Sequence, residues 1–160
     1  MKKIGFLLVT FFFFSAVSAQ PSEPAKTWAF AYGAAGAVVN GGSADGVLHI
    51  GGGGAGLVSG GLGAGVDIGY LAPFEGFGSG IGILSPGVLY AFNRENATVP
   101  YVGGGYTLFF RGATAHGFYV AGGINRWFDD RWGIQIEGRD QIMPEYNDHF
   151  IEARVSILIR

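Results

Sequence analysis

The chain contains no cysteine, so no disulfide bond can stabilise it. Charged residues are also scarce, because they make up 14% of the chain, whereas an average soluble domain has roughly 25%. Basic residues do not predominate, since the formal net charge is −2, and nucleic-acid-binding proteins are typically basic. We therefore expect neither a disulfide-stabilised scaffold nor a nucleic-acid partner.

Long hydrophobic runs are missing after residue 19, and a membrane-spanning helix needs ~20 predominantly apolar residues. The chain is nevertheless hydrophobic, with a mean hydropathy of +0.32. Glycine supplies 30 of the 160 residues and aromatic residues supply 15%. A hydrophobic chain without spanning helices can still cross a membrane as a closed β-barrel, because its strands satisfy all the backbone polar groups.

Residues 1–19 have the organisation of a secretory signal peptide. A basic head, Met1-Lys2-Lys3, precedes the apolar run from Ile4 to Phe14, and small residues follow up to Ala19. We expect cleavage after Ala19, because the apolar run is shorter than a membrane anchor requires.

The remaining chain divides into a short lead at 20–26 and a β-barrel domain at 27–160. From Thr27 onward the dominant period is two, which is the period of a β-strand. Gly, Asn, Asp, Ser and Pro dominate the connections, as turns require. The predicted strands are 27–39, 46–56, 60–71, 80–92, 99–110, 116–127, 131–142 and 148–159. The sequence therefore predicts an all-β fold, an eight-stranded antiparallel transmembrane β-barrel with an up-and-down meander.

The two faces of each predicted strand differ in chemistry, most clearly in 131–142 and 148–159. One face carries bulky apolar residues and the other carries glycine, small residues or isolated charges. In a membrane barrel the apolar face meets lipid and the polar face lines the lumen. We expect a structural, lumen-facing polar network of Asp67, Asn125, Gln135, Glu137, Arg139, Glu152, Arg154 and Ser156.

Glu137, Arg139, Glu152 and Arg154 lie on neighbouring predicted strands, so their opposite charges can pair in a hydrogen-bonded ion network. This network has two interpretations, a pore lining or a plug that fixes the register and closes the lumen. We favour the plug, because an eight-stranded barrel is just wide enough for its side chains to fill it.

Two other architectures are compatible with parts of the pattern. A soluble β-barrel or sandwich also alternates, but with its apolar face inward. The glycine-rich stretch 51–69 contains small residues at four-residue spacing, as packed transmembrane helices do. Its glycine content provides little hydrophobic drive for a helix, and we expect these glycines to keep lumen positions small instead.

Aromatic residues occur near the ends of the predicted strands. Barrels in membranes place aromatic residues there, at the two interfaces with water. The candidates for these girdles are Trp28, Phe92, Tyr101, Phe110, Trp127, Trp132 and Tyr146.

The runs Arg131–Asp140 and His149–Ile157 resemble the closing hairpin of small outer-membrane β-barrel proteins, the porin-like group that includes OmpA-type barrel domains. The acidic turn at 128–131 belongs to the resemblance. It implies an eight-stranded barrel in the outer membrane of a Gram-negative cell envelope, with a periplasmic N-terminus and a barrel-assembly machinery as a partner during biogenesis. Barrels of this group usually end in an aromatic residue, whereas this chain ends Leu158-Ile159-Arg160.

No catalytic constellation is evident. A hydrolase needs Ser, His and an acidic residue that converge, whereas His49, His116 and His149 are spread over the chain. We interpret His49 and His116 as rim or loop residues and His149 as a residue at a strand start. This spread is also poor spacing for metal ligands. We expect no enzyme, no metal and no cofactor.

The sequence thus predicts a monomeric outer-membrane barrel with a structural or narrow porin-like role, surrounded by outer-membrane lipid. The alternatives are a soluble periplasmic β-domain that binds a small apolar ligand and a lipid-modifying barrel enzyme.

The mature protein is expected to begin at Gln20. N-terminal sequencing of the exported, folded protein tests this position. Recovery of Met1 at the N-terminus of the folded protein would contradict the signal-peptide interpretation.

Overall fold

The structure is a computed structural model that describes residues 27–160, and it is built of eight antiparallel strands. Each strand pairs with the next along the chain, and the last pairs with the first, so the sheet closes into a barrel. The strands are β1 (Thr27–Asn40), β2 (Ser43–Ser59), β3 (Leu62–Pro73), β4 (Ile81–Ala91), β5 (Thr98–Arg111), β6 (Ala113–Trp127), β7 (Trp132–Met143) and β8 (Asp148–Ile159). This confirms the predicted up-and-down barrel. The predicted signal peptide (1–19) and lead (20–26) lie outside the described residues.

Helix is confined, within the described range, to a single 3-10 turn at Phe77–Ser79 between β3 and β4. No helix of residues 27–160 is long and apolar enough to cross a membrane.

Several hairpins are tighter than the sequence indicated. The loop expected at 40–45 is a two-residue turn, and β2 already begins at Ser43. Gly41 and Gly42 have φ angles of 54° and 101°, as a two-residue hairpin turn with positive φ at both central positions requires. Because two glycines complete the turn, the flanking residues remain paired. The loop expected at 111–115 similarly shrinks to Gly112.

The turn between β6 and β7 is closed by Asp129. Its carboxylate accepts hydrogen bonds from the backbone N–H groups of Arg131, at 2.7 Å, and Trp132, at 2.9 Å. These two bonds hold the pKa of the Asp129 carboxyl below its usual value. In this acidic turn the Asp129 side chain therefore accepts the hydrogen bonds that a backbone carbonyl would otherwise accept.

The two faces of the barrel wall differ as the alternation predicted. In β8, Val155 and Ile157 are each 58% exposed on the exterior, whereas Arg154 and Ser156, which alternate with them, are each 2% exposed. Many bulky apolar side chains of the other strands, among them Val66, Ile68 and Ile136, also point outward. This is the reverse of the arrangement in a soluble barrel, which keeps its apolar face inside.

The aromatic-girdle prediction is wrong for three residues. Trp28, Tyr101 and Trp127 point into the lumen and are 8%, 6% and 8% exposed. Each has the parity of its strand's inward face, and that parity, not nearness to a strand end, sets the direction of a side chain. The exposed members are Phe92, Phe110, Trp132 and Tyr146.

Glycines inside the barrel make room for tyrosine rings. Tyr32 on β1 is the register partner of Gly51 on β2, which is the partner of Gly69 on β3. A Cβ atom on either glycine would collide with the Tyr32 hydroxyl. The ring therefore lies across two neighbouring strands, and only glycine leaves the space for it.

Tyr119 on β6 repeats this arrangement on the other side of the lumen. Its register partner is Gly105 on β5, which pairs with Gly87 on β4. A Cβ atom on either glycine would collide with Tyr119. Tyr101 on β5 crosses Gly123 on β6 in the same way. The high glycine content of this chain is thus in part a packing requirement of its lumen.

Gly87→Ala is expected to destabilise the barrel by about 1–3 kcal/mol, the usual cost of overpacking a filled core. Gly122→Ala is the matched control, because its added methyl group would face outward with no heavy atom nearer than 3.9 Å. It is expected to be neutral or to stabilise by up to about 1 kcal/mol. Urea unfolding of the folded barrel measures both variants. Equal effects would contradict the proposed contact with Tyr119.

Candidate functional site

The lumen contains two apolar clusters at opposite ends of the barrel. The terminal-end cluster lies where the chain enters β1 and leaves β8, and the hairpin-end cluster lies at the other mouth. The terminal-end cluster consists of Trp28, Leu57, Ala91, Val99, Tyr101, Trp127 and Leu158. The hairpin-end cluster consists of Val47, Leu71, Ile83, Phe109, Met143 and Phe150. The strand positions between these clusters carry the buried polar residues.

Five buried charges form the centre of the polar layer. Arg139 contacts Glu137 through Nε at 2.8 Å and Asp67 through Nη1 at 2.9 Å. Arg154 contacts Glu152 through Nε at 2.6 Å and lies 3.6 Å from the same Asp67 carboxylate. Asp67 on β3 thus joins the two Glu-Arg pairs of β7 and β8 into one ion network.

Both guanidinium groups lie on tyrosine rings. The Arg154 carbon Cζ is 4.3 Å from the centre of the Tyr32 ring, and the Arg139 Cζ is 4.2 Å from that of Tyr119. An arginine over an aromatic face is attracted by the negative face of the ring. Each arginine is therefore held between a carboxylate and a ring that itself lies on glycines.

A second hydrogen-bonded chain contains no charge. The Gln135 amide donates to Asn125 Oδ1 at 3.0 Å, and the Ser156 hydroxyl donates to Gln135 Oε1 at 3.0 Å. These three residues come from β6, β7 and β8, so the chain links three strands across one side of the lumen.

All the residues named from the sequence as a lumen network are buried in the barrel, at 8% exposure or less. They form two groups, because Asp67, Glu137, Arg139, Glu152 and Arg154 form the ion network while Asn125, Gln135 and Ser156 form the uncharged chain. Within residues 27–160 no side-chain hydrogen bond joins one group to the other.

Sequence reasoning missed five lumen residues that contact this polar layer. The Tyr101 hydroxyl donates to Glu137 at 2.6 Å, and the Gln141 amide donates to Glu152 at 3.1 Å. The missed residues are Tyr32, His49, Tyr101, Tyr119 and Gln141. The inward direction of these side chains can be predicted from their parity once the strand bounds are known. Their hydrogen-bond partners cannot be predicted in this way, because the sequence does not show the register between strands.

The interpretation of His49 as a rim or loop residue is wrong. It lies in the interior of β2 and is 1% exposed. The error follows from the predicted loop at 40–45, because the tight turn at Gly41–Gly42 leaves several paired residues before His49. His116 is exposed near the start of β6, and His149 is the second residue of β8.

A small cavity of about 50 Å³ lies between the ion network and the terminal-end cluster. Trp28, Tyr32 and Tyr101 line it together with Asp67 and Glu137. A water molecule takes up about 30 Å³ in the liquid, so this space suits one or two water-sized molecules. It is much smaller than the cavities of ~300–1,000 Å³ that hold typical ligands.

The charged groups of the polar layer are paired with one another. Its carboxylates already contact guanidinium groups, and no group of three His, Asp or Glu in residues 27–160 is placed to hold a metal ion. The arrangement links strands β3, β7 and β8 through paired charges.

No family model matches the sequence, and no curated protein is detectably similar to it. Solved structures are similar to its fold. Neisserial surface protein A is 14% identical over 86% of this chain and 99% of its own, with a TM-score of 0.73. The N-terminal β-barrel domain of Pseudomonas aeruginosa OprF is 12% identical over 83% of this chain and 96% of its own, with a TM-score of 0.63. A de novo designed transmembrane β-barrel is 16% identical over 82% and 93%, with a TM-score of 0.54. The chain therefore has the fold of small outer-membrane β-barrels.

Proposed function

We propose that this protein is a structural component of the bacterial outer membrane, a monomeric barrel whose lumen is sealed against solutes. The observation that carries the proposal is the position of the ion network between two apolar clusters. A solute that enters from either mouth meets an apolar cluster first, and then charges that are already paired. Apolar constrictions oppose the passage of water and ions because they dewet.

The energetics of the ion network support a sealing role. Removing one partner of a buried ion pair typically costs ~3–5 kcal/mol, because the other charge is left uncompensated. Arg139 and Arg154 each contact two carboxylates. A conducting pathway through this layer would have to separate several such pairs at once, so the network resists opening.

The barrel exterior supports outer-membrane lipid as the surrounding partner. Its outward side chains include Val66, Ile68, Ile136, Val155 and Ile157, each between 46% and 58% exposed. A patch of this kind around a whole barrel has no explanation in a monomeric soluble protein. Outer-membrane location also requires export and a barrel-assembly machinery, both of which belong to the proposal.

Closure of the sheet supports a monomer. Because β8 pairs with β1 along most of its length, the barrel has no free strand edge with which another chain could pair. Three of the four hairpins at the mouth opposite the termini are also short, with two residues between β1 and β2, one between β5 and β6 and four between β7 and β8, and the longest, between β3 and β4, has seven. They offer little loop surface for a receptor or an adhesin.

Planar-bilayer recording tests the sealed lumen. The folded wild-type barrel is expected to give no single-channel steps, and a gel-mobility difference between boiled and unboiled samples shows that the recorded protein is folded. Channel steps from the wild type would overturn the sealed barrel and favour the narrow porin-like role.

A matched pair of variants tests whether the seal has more than one layer. Phe109→Ala removes a lumen side chain of the hairpin-end cluster, whereas Phe110→Ala removes its exposed neighbour on the exterior. Both are expected to remain silent, because the ion network and the terminal-end cluster still block the lumen. Conduction by Phe109→Ala alone would show that one apolar layer makes the seal.

A further inference from the structure

His49 is a titratable group inside the lumen to which the proposed seal assigns no role. Its ring nitrogens have different partners. Nδ1 lies 2.9 Å from Glu152 Oε2, and Nε2 lies 2.9 Å from the Tyr32 hydroxyl. The same hydroxyl lies 3.3 Å from Asp67 Oδ1. Tyr32 thus has one proton and two acceptors within hydrogen-bond distance.

The contact with Glu152 determines where the ring carries its first proton. A carboxylate oxygen only accepts, so a 2.9 Å contact is favourable when Nδ1 carries a hydrogen. Arg154 Nη2 is 3.1 Å from Nδ1, and the same arginine is already paired with Glu152 through Nε. The shorter contact therefore assigns the neutral ring as the Nδ1–H tautomer, in which Nε2 accepts a hydrogen bond from Tyr32.

A second proton at Nε2 can be accommodated without a broken hydrogen bond. Nε2–H then donates to the Tyr32 oxygen, and the Tyr32 hydroxyl turns to donate to Asp67. The cavity beside Tyr32 and Asp67 leaves the hydroxyl hydrogen free to turn. In both protonation states the two ring nitrogens and the Tyr32 hydroxyl have hydrogen-bond partners, while Arg154 Nη2 faces the Nδ1–H group and donates no hydrogen bond to it. The two states differ in the direction in which the Tyr32 hydroxyl points.

Charge balance in the lumen gives the second proton a reason to bind. The charged groups that face His49 are Glu152 and Arg154 from β8 and, through Tyr32 of β1, Asp67 from β3, with Arg139 and Glu137 of β7 beyond them. With His49 neutral, these three carboxylates and two guanidinium groups sum to −1. Protonation of His49 brings the sum to zero.

We propose that His49, Tyr32 and Asp67 form a proton-binding switch within the barrel, in which proton uptake at His49 Nε2 turns the Tyr32 hydroxyl from His49 to Asp67. The switch makes the lumen network electrically neutral in acid and singly negative in alkali. The switch rests on the hydrogen bonds of His49 and not on the proposed seal. Its protonation can therefore be measured whether or not the barrel conducts.

Nitrogen NMR of histidine-labelled, folded barrel in detergent micelles tests the switch between about pH 8 and about pH 5, the range in which histidine titrates. His116→Gln and His149→Gln assign the signals. For His49, Nδ1 is expected to remain protonated throughout, and Nε2 is expected to move from the unprotonated to the protonated shift as the pH falls. An unprotonated Nδ1 at pH 8, or an Nε2 signal that does not move, would overturn the proposal.

Tyr32→Phe separates the switch from a plain titration of a buried ring. It keeps the aromatic ring over Gly51 and Gly69 but removes the hydroxyl that accepts from Nε2–H. The pH at which Nε2 gains its proton is therefore expected to fall. Tyr106→Phe is the matched control, because the Tyr106 hydroxyl contacts His116 instead, and it is expected to leave the His49 titration unchanged. An unchanged titration in a folded Tyr32→Phe barrel would also overturn the switch.

Discussion

The tyrosine ring that lies across glycines of neighbouring strands is the contact on which the interior of this barrel depends. Tyr32 crosses Gly51 and Gly69, and Tyr119 crosses two glycines on the opposite side. A lumen of eight strands has little spare width. Glycine lets each ring lie flat along the wall, and the exposed ring face then supports a guanidinium group. Without the glycines the rings would occupy the space that the arginines now fill.

The two arginines that lie on these tyrosine rings account for the other charged residues of the lumen. A buried guanidinium needs an anionic partner, and Glu137, Glu152 and Asp67 supply three carboxylates. The surplus negative charge gives a buried histidine beside Glu152 a physical role. In the proposed sealed barrel, the apolar clusters at both mouths keep water from this layer, which strengthens the ion pairs within it. Strand register, charge pairing and lumen filling are thus consequences of one packing arrangement.

The architecture could be predicted from the sequence because alternation is a local property. In β8 the apolar Val155 and the charged Arg154 alternate with their neighbours, and this is sufficient to assign a face to each. The candidate site was predicted less completely, for three separate reasons. Trp28 and Trp127 looked like girdle residues because they lie near strand ends, and yet their parity directs them inward. His49 was misplaced because two glycines make a whole turn. The tyrosine-glycine rows were missed because they depend on the register between consecutive strands, which the sequence does not show.

The central claim is that the apolar exterior of this barrel meets lipid while its other face is shielded from it. Quenching of the native tryptophans by brominated lipids tests this claim directly, since Trp132 is 47% exposed on the exterior and Trp28 and Trp127 are each 8% exposed in the lumen. The account predicts substantial quenching in the wild type that disappears in a Trp132→Phe variant, whose remaining emission is protected. Undiminished quenching in that variant, or no quenching in the vesicle-inserted wild type, would contradict the assignment of the two faces.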